Sequence, residues 1–150
     1  MSESVLRSGD LAPAFALPSE TGEITRLADF SGRRVVVYFY PMDDTPGCTA
    51  QACSFRDHYL EVQERNAVVL GISPDDTVSH QAFKTKYDLP FTLLVDTDHA
   101  VASAYGVWQD GARFVTRSQF IVDEAGKLVD IQVPVRALDS LGLALQALGD

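Results

Sequence analysis

The run Val35-Val36-Val37-Tyr38-Phe39-Tyr40, ended by Pro41, constrains the fold of this chain more than any other segment. Its β-branched and aromatic residues do not alternate with polar ones, which predicts a strand buried on both faces. Ala67 to Ile72 predicts a second buried strand and Phe91 to Val95 a shorter third. Helical patterns fall between them. Thr45-Pro46-Gly47 opens one, with Thr45 suited to the N-cap and Pro46 to the first helical position. Its apolar stripe of Cys48, Ala52, Phe55, Tyr59 and Val62 recurs every three or four residues, so it faces the core. The other helix covers Asp75 to Tyr87, with Val78, Ala82, Phe83 and Tyr87 expected inward.

Later segments change character. A helix is predicted from about Thr97 to Tyr105, where Gly106 can end it in the left-handed conformation. Gln119 to Val122 and Leu128 to Val133 flank Asp123-Glu124-Ala125-Gly126-Lys127, which reads as a hairpin turn. Leu138, Leu141, Leu145 and Leu148 mark a last helix. In the turn-rich opening third, Phe15 to Leu17 and Ile24 to Leu27 predict a small edge hairpin. Strand–helix alternation that closes on an antiparallel hairpin and a helix predicts an α/β fold of thioredoxin type. Its central sheet is mixed and flanked by helices, with an N-terminal β-hairpin extension.

Composition narrows the function classes. A chain of 150 residues fits one domain, 1–150, and should bury roughly 68–70% of its unfolded surface without a disulfide or metal staple. The only two cysteines, Cys48 and Cys53, are therefore free for chemistry and would be thiols at rest in a reducing cytoplasm, the expected location. A net charge of −9 repels phosphate backbones and anionic lipid, so no nucleic acid and no membrane partner is expected. The N-terminal residues lack the basic and apolar regions of a signal peptide, and no apolar stretch is long enough to span a bilayer.

Cys48 falls at the third position of the helix that Thr45 opens, close to free N–H groups and the positive end of the helix dipole. Such settings favour the thiolate. A free cysteine on an apolar stripe can equally be a small hydrophobe. Cys53 follows five residues later. On an ideal helix it points about 140° away and lies about 8.7 Å from Cys48 between Cα atoms, beyond the roughly 4.4–6.8 Å of a disulfide. A bond between the two would need the helix to unwind locally. On geometry alone Cys53 is either a redox partner or a spectator thiol.

The spacing Pro41-x-x-x-Thr45-x-x-Cys48 resembles the peroxiredoxin active-site signature. The longer string YPMDDTPGCTAQACSFRD is similar to the peroxiredoxin Q branch, also called bacterioferritin comigratory protein. The likeness continues through GISPDD, FTLLVDTDHAVASAYGVW and TRSQFIVDEAGKLV. It implies a thiol peroxidase in which Cys48 is the peroxidatic cysteine and Cys53 the resolving cysteine of the same subunit, joined in a redox-active disulfide. Arg117 would face the thiolate, Thr45 Oγ, the Cys48 N–H and Arg117 would be the candidate donors to the departing oxygen, and Pro41 would shield the cysteine. The implied substrates are hydrogen peroxide and organic hydroperoxides, and the implied reductant is thioredoxin or a similar dithiol. No cofactor is implied, and the expected state is a monomer or at most a weak homodimer. Two departures stand out: relatives often carry Lys where this chain has Met42, and Glu where it has Gln51.

Three other readings are weaker. A disulfide reductase of the same fold usually carries Cys-x-x-Cys and a proline where Arg117 stands, whereas the spacing here is Cys-x4-Cys. A redox sensor would share the first oxidation step but not turn over. A metal site is disfavoured, because His58, His80 and His99 stand singly without ligand spacing and fit solvated or packed roles.

Overall fold

The structure is a computed structural model and describes residues 6–149. Part of the N-terminal stretch in which no leader is expected, residues 1–5, lies outside the described residues. Five strands form the central sheet: β3 (Arg34–Phe39), β4 (Ala67–Ser73), β5 (Thr92–Val95), β6 (Ser118–Val122) and β7 (Leu128–Gln132). Their order is β5-β4-β3-β6-β7. β3 pairs in parallel with β4 and antiparallel with β6, so the sheet is mixed. Strands β1 (Ala16–Pro18) and β2 (Ile24–Arg26) form a separate antiparallel hairpin, followed by a 3-10 turn at Leu27–Phe30.

The uniformly apolar run becomes the central strand because both faces of β3 are covered. Val35, Val37 and Phe39 enter one core with Phe120, Leu94 and Tyr105, while Val36, Tyr38 and Tyr40 enter the other with Cys48, Phe55 and Phe91. Burying one such aromatic or aliphatic side chain stabilises the fold by about 1.5–3 kcal/mol. The second core lies beneath α1 (Pro46–Asp57), α2 (Tyr59–Glu64), α3 (Thr77–Tyr87) and α5 (Ser140–Leu148). The short α4 (Ala100–Ala104) contributes to the first. Gly126 takes a φ of 85° in the β6–β7 turn, a conformation that explains a glycine there. No helix among the described residues is long and apolar enough to cross a membrane.

Helix faces differ from the expected ones in three places. The first predicted helix divides at His58 (φ −121°, ψ 20°) into α1 and α2, and its buried face includes the polar Gln51. In α3 the inward residues are His80 and Phe83, while Val78 is 72% exposed and Ala82 is also exposed. The backbone entering α3 is fixed by the Asp76 cap, whose carboxylate accepts the Ser79 N–H, and this sets the face toward His80. In α5 the buried positions are Ser140, Ala144 and Leu148, and Leu138 lies exposed before the helix. Counting apolar residues could not reveal these faces, because buried polar partners draw Gln51, His80 and Ser140 inward.

Candidate active site

The chain leaves β3 through Tyr40, turns at Pro41 and enters α1 at Pro46. Thr45 holds the N-cap position in an extended conformation (φ −100°, ψ 158°), and Cys48 is the third helical residue, as predicted. Thr45 differs from expectation in one respect. Its side chain makes no cap bond; the hydroxyl donates to the Met42 carbonyl at 3.0 Å, inside the loop. The first-turn N–H groups thus have no side-chain cap from Thr45, and the positive end of the dipole stays available beside Cys48. Cys48 itself is 1% exposed and packs in the core containing Tyr38 and Tyr40.

Arg117, just before β6, reaches this sulfur: its Nη2 lies 3.4 Å from Cys48 Sγ. Nη1 donates to Gln51 Oε1 at 2.7 Å. Gln51 Nε2 donates onward to Ser140 Oγ at 2.9 Å, and Ser140 donates to Gln119 Oε1. The Arg117 carbonyl accepts the Val135 N–H at 2.8 Å, which ties the residue to the segment before α5. Gln51, Ser140 and Gln119 are fully buried and uncharged. Among the described residues no carboxylate lies in ion-pair range of Arg117, so its charge faces the sulfur unneutralised.

Gly47 makes this approach possible. A Cβ there would lie 3.0 Å from Arg117 Nη2, so any side chain would press the guanidinium away from its two acceptors. Cys53 lies on the same unbroken helix, half-exposed, in a shallow surface groove with Asp44, Thr45, Pro46 and Tyr87. Both cysteines are free thiols. Pro41 is half-exposed at the start of the loop that carries Thr45.

A second buried network lies at the other side of that loop. Asp43 accepts hydrogen bonds from Tyr40 Oη at 2.5 Å and Ser79 Oγ at 2.8 Å, and its carboxylate lies 2.7 Å from His80 Nδ1. Its N–H donates to Asp75 at 2.8 Å, and Ser73 Oγ donates to the same Asp75 oxygen at 2.7 Å. His80 Nε2 lies 2.8 Å from the Leu94 carbonyl. Burial would lower the His80 pKa, but the hydrogen bond and charge of Asp43, the Leu94 carbonyl and the charge of Asp75 together raise it. Burial likewise holds the Tyr40 phenol well above its ordinary range, which keeps it a donor to Asp43.

With this geometry in view, comparison with known proteins decides the family. Residues 8–131 match the AhpC/TSA family. The chain belongs to that family. It is 42% identical over 148 residues to peroxiredoxin Bcp of Bacillus subtilis, covering 95% of this chain and 94% of that protein. Against peroxiredoxin Bcp of Escherichia coli it is 45% identical, covering 82% and 83%. Among solved structures, peroxidoxin BcpB from Mycobacterium tuberculosis superposes with a TM-score of 0.89 at 32% identity, covering 95% of this chain and 96% of that one. Within the AhpC/TSA family the chain is thus a peroxiredoxin of the Bcp and peroxiredoxin Q group, and its thioredoxin-like fold agrees with the sequence reading.

The sequence pattern singled out Pro41, Thr45, Cys48, Cys53 and Arg117 as candidate site residues, and of these the structure brings Arg117 and Cys48 into contact. It did not anticipate Gly47, which read as part of a helix start, or Ser140 and Gln119, which are scattered polar residues until the fold joins them. His80 read as solvated or merely packed; instead it converges with Asp43 and Asp75 within 4.8 Å. Both ring nitrogens of His80 face acceptors at hydrogen-bond distance, Nδ1 toward Asp43 and Nε2 toward the Leu94 carbonyl. A His four residues after an Asp-Asp pair was the available signal, and nothing in it pointed back to Asp43.

Proposed function

We propose that the chain is a thiol peroxidase that reduces hydrogen peroxide and organic hydroperoxides through Cys48. The observation that carries this reading is the 3.4 Å contact between the Arg117 guanidinium and a buried sulfur in the first turn of α1. The Cys48 thiolate attacks one peroxide oxygen in line with the O–O bond. An S–O bond forms, the O–O bond breaks, and the leaving oxygen takes up a proton to give water or an alcohol. Charge growing on that oxygen is stabilised by fixed donors, namely Arg117 and the first-turn N–H groups. Thr45, whose own proton goes to the Met42 carbonyl, offers lone pairs to a peroxide O–H. Pro41 shapes the loop without adding a competing donor.

The product is a Cys48 sulfenic acid. In this reading Cys53 condenses with it, releasing water and forming an intramolecular disulfide, after the first turns of α1 unwind. Thioredoxin or a similar dithiol then supplies two electrons and two protons to restore both thiols. The enzyme acts as a single-domain monomer in the cytoplasm. The Xanthomonas campestris bacterioferritin comigratory protein, 29% identical with a TM-score of 0.86, is described with an alkyl peroxide reduction activity, and this supports organic hydroperoxides as substrates here.

Peroxide consumption coupled to thioredoxin, followed over many turnovers, tests the proposal. Wild type should turn over repeatedly and Cys48→Ser not at all. Cys53→Ser should be oxidised once and then stall. Activity in the Cys48 variant would sink the mechanism, and sustained turnover by the Cys53 variant would remove that residue from it.

A further inference from the structure

The loop from Pro41 to Thr45 carries two of the proposed site residues, yet little of its own secondary structure holds it. Its anchor is Asp43, whose carboxylate accepts hydrogen bonds from Tyr40 and Ser79 and lies 2.7 Å from His80 Nδ1, while its N–H reaches Asp75. His80 completes the brace by reaching from α3 to the Leu94 carbonyl on β5. Asp44, next in the loop, adopts a left-handed conformation (φ 57°) that a non-glycine residue keeps only when its surroundings over-determine it.

We propose that His80 is a positioning residue for the peroxide reaction: as an imidazolium between Asp43 and the Leu94 carbonyl, it fixes the Pro41–Thr45 loop, and loss of its proton releases that loop. The inference rests on the peroxidase reading and deepens it. A neutral imidazole has one donor and one acceptor nitrogen. Here both nitrogens face acceptors, so a neutral His80 must give up either the bond to Asp43 or the bond to Leu94. The groups facing the ring are Asp43 from the loop, Asp75 from the β4–α3 connection, Tyr40 at a centroid distance of 6.4 Å from the end of β3, and the Leu94 carbonyl from β5. None of them is an added donor that could rescue a bare nitrogen. Tyr40 and Ser79 already direct their protons to Asp43.

The second-order rate of Cys48 oxidation by hydrogen peroxide, measured from pH 5 to pH 10, should fall on the alkaline side in wild type. The midpoint should coincide with the His80 titration followed by nitrogen NMR of the imidazole, in which both ring nitrogens are protonated at neutral pH. His80→Gln, whose single amide cannot reach both acceptors, should react about tenfold more slowly at neutral pH and lack the alkaline fall. The loss should appear in kcat/KM for peroxide, with the reduction of the disulfide by thioredoxin unchanged. A bare ring nitrogen at neutral pH, midpoints that differ, or a folded His80→Gln with the wild-type rate and profile would each overturn the proposal. Should that variant not fold, the comparison of midpoints in wild type decides. A wild type that consumes no peroxide would instead remove the peroxidase reading, while the imidazole spectrum still reports whether His80 is doubly protonated.

Discussion

Two buried polar networks flank the turn that carries Cys48, and they handle charge in opposite ways. Behind the sulfur, Arg117 is held by Gln51, Ser140 and Gln119, all neutral, so hydrogen bonds fix the guanidinium without cancelling its charge. Beside the loop, Asp43 and His80 lie 2.7 Å apart in a buried pair that, with His80 protonated as proposed, cancels its charges locally and supplies rigidity. A cation meant to meet a thiolate and a transition state needs a neutral cradle. An anchor needs strong bonds and no field to spare.

Removing the anchor should have the largest effect. Asp43→Ala removes the carboxylate partner of His80 and leaves Tyr40 and Ser79 without their acceptor, and should cost about 3–5 kcal/mol in urea unfolding where His80 is protonated in the wild type. The raised His80 pKa fixes the sign of the pH dependence. The pair's contribution is full below the unfolded histidine value of about 6.5 and is lost as pH rises through the higher native value. The gap between wild type and variant should therefore narrow in alkali. A constant gap would mean that shape, and not charge, is what the pair supplies.

Arg117→Met, which keeps an apolar stem and removes the charge, should slow peroxide reduction by about 10²–10³-fold, with a loss of only about 1–3 kcal/mol of stability from the buried Gln51 Oε1 left without its donor. A loss of stability as large as that of Asp43→Ala would place Arg117 in the anchoring class instead. Gln51→Leu keeps the volume but deprives Arg117 of an acceptor and Ser140 of a donor. About a tenfold slower reaction and a destabilisation of about 1–3 kcal/mol are expected. If the rate does not change, the cradle does not orient the guanidinium.

Gly47→Ala should have the smallest effect and report most directly on geometry. Its methyl would displace the guanidinium by a few tenths of an ångström, for about a threefold slower reaction at unchanged stability. An unaltered rate would mean that Arg117 has slack in its approach to the sulfur.

The apolar run from Val35 to Tyr40 was sufficient to predict a two-sided core, because continuous burial leaves no polar position to accommodate water. Likewise Thr45-Pro46-Gly47 predicted where α1 begins, and hence where Cys48 stands, since proline and the residue before it have few alternatives there. Both signals are local. Periodicity failed at Val78, Ala82 and Leu138, where the inward face was chosen by buried polar partners that carry no apolar signature.

What the sequence by itself determined about this protein is the chemistry available: two thiols, an acidic surface, a central strand, and a helix whose third residue is a cysteine. Only the tertiary structure decided which charges meet. Arg117 lies 69 residues from Cys48, Ser140 lies 89 from Gln51, and His80 lies 37 from Asp43. Hydrogen bonds reach only about 3 Å, so such pairs exist once the sheet has aligned the ends of its strands and not before.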